Sequence, residues 1–268
     1  MPRALLHSLK TYWLWCGVIA LGAVIFLASP GGFGMKAHSV LHGLCAQTPS
    51  HTFVLGRQAL PFDGRMTGIY GGTLITFAYL LARKRILFYG NPPKMIVAVL
   101  AGMVGLMAVD GFNSLFTDLG LWHPYEPRNL YRLITGFGTG MALAVILCWL
   151  LASSMWNLSS PKPGITSMRD LGWLALPSIP YGLAIYSGWG LFYLPIAGLL
   201  AVSAWLTLTI LMLVVVLLLF RIDERVRSVP QLHVPGAVAA GLALVLMLAL
   251  AGGRFWLERT FGITVNAM

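Results

Sequence analysis

Apolar runs of membrane-crossing length, broken by short polar and basic segments, set the pattern of this chain. A helix needs about 20 apolar residues to cross a bilayer, at about 1.5 Å of rise per residue. Runs of that order begin at Tyr12, Met66, Met95, Leu130 and Val234. Between Leu171 and Phe220 no charged residue occurs, a stretch too long for one helix and about right for two. The turn between them is expected at Ser187-Gly188-Trp189-Gly190, with Phe192, Tyr193 and Pro195 following as an aromatic belt and stop. The pattern predicts an all-α, polytopic integral membrane helical bundle of seven transmembrane helices. It forms one membrane domain over residues 1–268, the last three spans lying within 171–254. Pro177 and Pro180 fall inside the fifth run, so that helix is expected to kink.

Composition strengthens this reading. Hydrophobic residues make up 58% of the chain and charged residues 10%, against about 25% charged in a soluble domain. The net charge of +10 would suit nucleic acid if the basic residues shared one face with aromatics. They stand instead in the short connections between apolar runs, which is a topology signal and argues against a nucleic-acid partner. With the amino terminus in the cytoplasm, eleven of the eighteen Lys and Arg fall on the cytoplasmic side, including Arg83-Lys84-Arg85 and the stretch Arg221 to Arg227 at span ends. A multi-pass protein of the plasma (inner) membrane follows, with membrane lipid as its immediate partner. The first run, after Arg3 and Lys10, is shaped like a signal peptide, but Phe26 stands where cleavage wants a small residue, so it reads as the first span. Cys16 and Cys148 lie in apolar runs and leave Cys45 alone in a polar segment, so no disulfide framework is expected.

Small residues recur four apart at Gly68 and Gly72, Ala101 and Gly105, and Gly136 and Gly140. That spacing makes a flat groove on one helix face and lets backbones approach closely. Spans two, three and four are therefore expected to pack together as the core of the bundle.

Candidate chemistry gathers at one end. The connection from Ser29 to Arg65 is the longest on its side, and long connections in compact proteins are commonly functional. A short helix over Lys36 to Gln47 would place His38, His42 and Cys45 at i, i+4 and i+7 on one face, a candidate donor set for zinc or copper with Asp63 as a further oxygen. Beside it, the expected outer ends of spans two to four carry Arg65, Tyr70, Asp110, Asn113, Asn129 and Arg132. An unpaired carboxylate within a leaflet costs at least a few kcal/mol, so Asp110 needs a partner. Arg132 is the expected one and Arg65 the alternative.

Other chemistries lack their residues. No histidine lies inside an expected span, which excludes a bis-histidine haem and a Ser/His intramembrane protease, and the seventh span has no Lys for a retinal Schiff base. There is no P-loop and no H-E-x-x-H.

Cys45-Ala46-Gln47-Thr48-Pro49-Ser50-His51-Thr52-Phe53 and Pro61-Phe62-Asp63-Gly64-Arg65-Met66-Thr67-Gly68-Ile69-Tyr70 carry a further signal. Together with Asp110 to Ser114 and Asn129 to Gly136, they resemble blocks of a family of predicted bacterial and archaeal multispanning membrane proteins of unknown function. That family has patterns like C-H-Q-x-P-x-R-S-F and C-A-R-C-T-G-I-Y. The resemblance covers residues 38–150. Where the family has a His and two further Cys, this chain has Ala46, Asp63 and Met66, so a metal or redox role implied by those positions would be lost or altered here.

Three functions remain open at this point. The first is a polar pocket at the outer ends of spans two to four, roofed by the Ser29 to Arg65 connection. It would hold a small polar or anionic ligand, lipid headgroup or ion on Arg65 and Arg132. The second is a membrane enzyme acting on a lipid or quinone through Cys45, His51 or Asp63. The third is an accessory subunit with a membrane-protein partner.

Overall fold

The computed structural model describes residues 2–29, 31–155, 157–222 and 226–262. Arg225, one of the basic residues counted above, lies outside them. Seven long helices occupy the seven apolar runs: α1 (Pro2–Ala28), α3 (Gly64–Ala82), α4 (Lys94–Asp118), α5 (Asn129–Ser153), α6 (Met168–Tyr186), α7 (Tyr193–Leu219) and α8 (His233–Phe261). The short α2 (Phe33–Leu41) and two small sheets complete the described elements. Strands β1 (Thr52–Leu55) and β2 (Gln58–Asp63) form an antiparallel hairpin, whereas β3 (Phe88–Gly90) pairs in parallel with β4 (Ser160–Pro163) at the other end. Among the described residues four helices are long and apolar enough to cross a membrane, α4, α5, α7 and α8, or five if α1 and α2 count as one broken span. The fifth apolar run forms one continuous helix through both Pro177 and Pro180.

The tightest contact joins α3 to α5. A Cβ built on Gly68 would strike the backbone of Leu133 and Phe137, and one on Gly72 the carbonyl of Phe137. From the other side, Gly136 and Gly140 sit on the carbonyls of Arg65 and Ile69. The two small-residue grooves thus interlock. Thr73 spans the contact, its hydroxyl bonding to Ile69 O at 2.8 Å and Gly140 O at 3.1 Å. The third small pair behaves otherwise: Ala101 and Gly105 of α4 are exposed, and a Cβ on Gly105 would meet only open space. Large residues attach α4 to α5 instead, with Ile96 and Leu100 buried and Met103 seated on Gly138. The expected three-span core is therefore a two-helix core with α4 leaning on it.

The connection after α1 is a folded cap. The chain turns by 118° between α1 and α2, and Lys36 steadies the elbow by donating to Leu27 O at 2.6 Å. Helix α2 stops at Leu41, short of the expected Gln47. There Gly43 rests on the backbone of Leu250 and Ala251, where any side chain would collide, and the following turn breaks the helical face. Hairpin residues Leu55, Leu60 and Phe62 plunge into the mouth of the bundle among Tyr70, Ile185, Tyr193, Ile196, Leu200 and Met247. At the far end Asp170 is buried and accepts from Tyr79 (2.6 Å), Arg85 (3.2 Å) and both the amide and hydroxyl of Thr166 (2.7 Å each), tying α3 to α6.

Candidate functional site

The hairpin end holds two polar centres. The first lies where α3, α4 and α5 meet. Asp63 caps α3, its carboxylate accepting from Met66 N at 2.8 Å, and this places Arg65 on the first turn. Arg65 Nη2 donates to Asp110 Oδ2 at 2.8 Å, and the phenol of Tyr125 donates to Asp110 Oδ1 at 3.0 Å. Asp110 is 1% exposed, so these bonds answer the cost of its burial. The partner is thus Arg65, the alternative, and the favoured Arg132 is engaged elsewhere. Arg132 sits one turn into α5, where its Nε and Nη2 reach Ser114 Oγ at 3.2 and 2.6 Å and its Nη1 reaches Asn129 Oδ1 at 2.7 Å. The one-turn spacing of Asp110 and Ser114 along α4 sets both acceptors on one helix face, each opposite a different guanidinium.

The other expected members divide. Asn113 donates to Tyr125 O at 2.8 Å and accepts from Tyr125 N at 3.4 Å, pinning the α4–α5 connection down so that Tyr125 reaches Asp110. Asn129 orients Arg132 and donates to Ser50 O at 3.2 Å. Tyr70 is not in this group: it points from the opposite face of α3 into the hairpin core and stacks on Phe62 with ring centroids 4.8 Å apart. At the rim, His51 Nε2 lies 3.6 Å from Asp118, and burial, then the charge of Arg132, pushes the imidazole below its ordinary pKa. Burial and the bond to Asp110 push the Tyr125 phenol upward.

The second centre was not anticipated. Gln47 has a left-handed backbone (φ 55), and its amide donates to His38 O at 3.0 Å and Pro61 O at 2.8 Å. Its oxygen faces His42 Nδ1 at 2.7 Å, while His42 Nε2 meets Glu258 at 2.8 Å. Arg254 binds Glu258 at 2.8 Å and gathers the carbonyls of His42, Cys45 and Ala46, so the end of α8 clamps the cap. Arg254 and Glu258 lie four apart at the close of the last apolar run, a one-face spacing that was a usable signal.

The three expected metal donors each face other partners. The imidazole nitrogens of His42 face Gln47 and Glu258, and His38 Nε2 faces Ala59 O at 3.0 Å. The Cys45 sulfur accepts from the amides of Gln47 (3.3 Å) and Asp63 (3.4 Å), and burial, aided by the charge of Asp63, pushes its thiol up to about 12. A thiol so held is protonated at neutral pH and is a poor ligand or nucleophile. Among the described residues no three His, Cys, Asp or Glu side chains come together in a way that would hold a metal ion. The roof is displaced as well: the cap lies mainly on α7 and α8, and it meets the Arg132 centre at its edge, where Asn129 bonds to Ser50 O and His51 faces Asp118.

Apolar helices with a polar rim and a folded cap define a helical membrane protein. The family model described as "Predicted membrane protein (DUF2085)" matches residues 45–146, from the cap through most of α5. No curated protein and no solved structure matches the chain.

Proposed function

We propose that the protein is a seven-span protein of the plasma membrane, its amino terminus cytoplasmic and its capped end outward, that binds a small anionic ligand at Arg132. The observation carrying this reading is the asymmetry between two neighbouring guanidinium groups. Asp110 is taken up by Arg65, while Arg132, 5% exposed, hydrogen-bonds among the described residues to the neutral oxygens of Ser114 and Asn129 and to no carboxylate. Arg65 adds a buried Nε without a hydrogen-bond partner among the described residues. A buried cation without a carboxylate in contact favours an incoming carboxylate or phosphate, and the guanidinium fork matches both. The frame of Asp110, Tyr125 and Asn113 holds its neighbours in place.

The test is titration of the purified protein, in a neutral detergent, with acetate and inorganic phosphate, followed by tryptophan fluorescence and calorimetry. Arg132→Gln is expected to weaken binding at least about tenfold, as loss of a charge-assisted bond implies, and Arg132→Lys to recover part of it. Equal binding by wild type and Arg132→Gln overturns the proposal.

A further inference from the structure

A cavity of about 500 Å³ opens between the first turn of α2, the hairpin turn, the start of α7 and the end of α8, away from Arg132. Its walls carry unanswered hydrogen-bond donors. Lys36 N is the first amide of α2 to make a helical bond, to Gly32 O, and the Gly32 cap supplies no side chain. The N–H groups of Phe33, Gly34 and Met35 therefore have no acceptor among the described residues, and they gather the positive end of the α2 dipole.

An independent observation lies opposite. Tyr193 is 2% exposed as a residue, and its hydroxyl, which faces the cavity and keeps a little exposure there, makes no hydrogen bond among the described residues. It approaches Gly34 so closely that a Cβ there would stand 2.7 Å from it, so the glycine leaves the hydroxyl over the helix end. A buried phenol normally finds a partner. At the rim stands Arg57, exposed on the hairpin turn and without an ion-pair partner among the described residues. The one carboxylate on the wall, Glu258, is already held by Arg254 and His42. Phe33, Met35, Leu194 and Phe255 supply an apolar part of the wall, beside the polar side chains of His38, Ser39, His42, Gln47 and Gln58.

We infer that this cavity binds a phosphate-bearing ligand, the phosphate accepting from the α2 amides and the Tyr193 hydroxyl and paired with Arg57, with the apolar lining against its remaining atoms. The chemistry fits the headgroup of an anionic phospholipid entering from the adjacent leaflet, and equally a soluble phosphate compound. Native mass spectrometry of the full chain distinguishes them. Phosphatidylglycerol, phosphatidylcholine, inorganic phosphate and glycerol 3-phosphate are the probes. Phosphatidylglycerol is expected to be retained about tenfold over phosphatidylcholine, with Tyr193→Phe and Arg57→Gln each cutting that retention about five- to tenfold. Displacement by millimolar glycerol 3-phosphate or inorganic phosphate identifies a soluble phosphate ligand; retention despite them identifies the lipid. Arg132→Gln leaves this retention unchanged, so the two sites stand or fall separately. Equal retention of the two lipids with no phosphate binding, or retention insensitive to both Tyr193→Phe and Arg57→Gln, overturns the inference.

Discussion

Asp110 shows how one residue divides two cations. Its pairing with Arg65 predicts that Asp110→Asn and Arg65→Gln each cost about 2 kcal/mol, less than a fully buried pair because a quarter of the Arg65 side chain is exposed. The double variant should cost clearly less than the sum, which thermal melts in detergent test. His51 offers a second check. Its folded pKa is lowered, so its contribution to stability is present above the ordinary histidine range and is lost as pH falls through the folded value. Arg132→Gln removes one cause and leaves the larger one, burial, so the His51 ring should titrate higher but still below an exposed histidine, as read by NMR. Cys45, with its thiol near 12, should react with maleimide at pH 8 at least about a hundredfold more slowly than the unfolded chain, in a variant lacking Cys16 and Cys148. The need of Asp110 for a partner was legible from its place after an apolar run. Which arginine met it was not: the spacing favours Arg132, and only the α3–α5 contact, which sets the heights of the two, gives Asp110 to Arg65.

Elements differ in how far periodicity describes them. The spacing of Gly68, Gly72, Gly136 and Gly140 correctly marks a close helix pair, since two flat grooves can interlock. The same spacing at Ala101 and Gly105 marks nothing inside the monomer, because a groove in sequence does not say whether another helix fills it. Gly140→Leu should therefore destabilise by several kcal/mol or prevent assembly, as overpacking against backbone does, while Gly105→Leu should shift the melting temperature little. Helix α2 marks a different limit. It begins at Phe33, three residues before the expected Lys36, and its end depends on Gly43 meeting the backbone of α8, more than two hundred residues away. The three-residue and four-residue spacings of His38, His42 and Cys45 lost their meaning once that helix stopped.

At the scale of the whole molecule, the cap and the starts or ends of the long helices meet at one end, with the Asp170 cluster at the other. The proposed seven crossings with a cytoplasmic amino terminus predict that a cysteine placed at Ser29 or Arg57 labels from outside intact cells and one at Lys84 does not. Labelling of Lys84→Cys from outside would reverse the orientation and put both polar centres on the cytoplasmic face. The family match over residues 45–146 covers the Arg132 centre and only part of the cap clamp, since His42, Arg254 and Glu258 lie beyond it. The two centres are thus separable in sequence as well as in space.

Hydropathy alone determined that this chain lives among helices in a bilayer, where the runs begin, and that Asp110 needs a partner. These follow from local energetics, since an apolar run or a buried carboxylate carries its cost wherever it is placed. Pairing was decided only in three dimensions: Asp110 with Arg65, His42 with Glu258, Tyr193 above the first turn of α2. Each joins residues from elements distant in sequence, and the relative height and rotation of packed helices, which no local pattern encodes, determine which donor an acceptor meets.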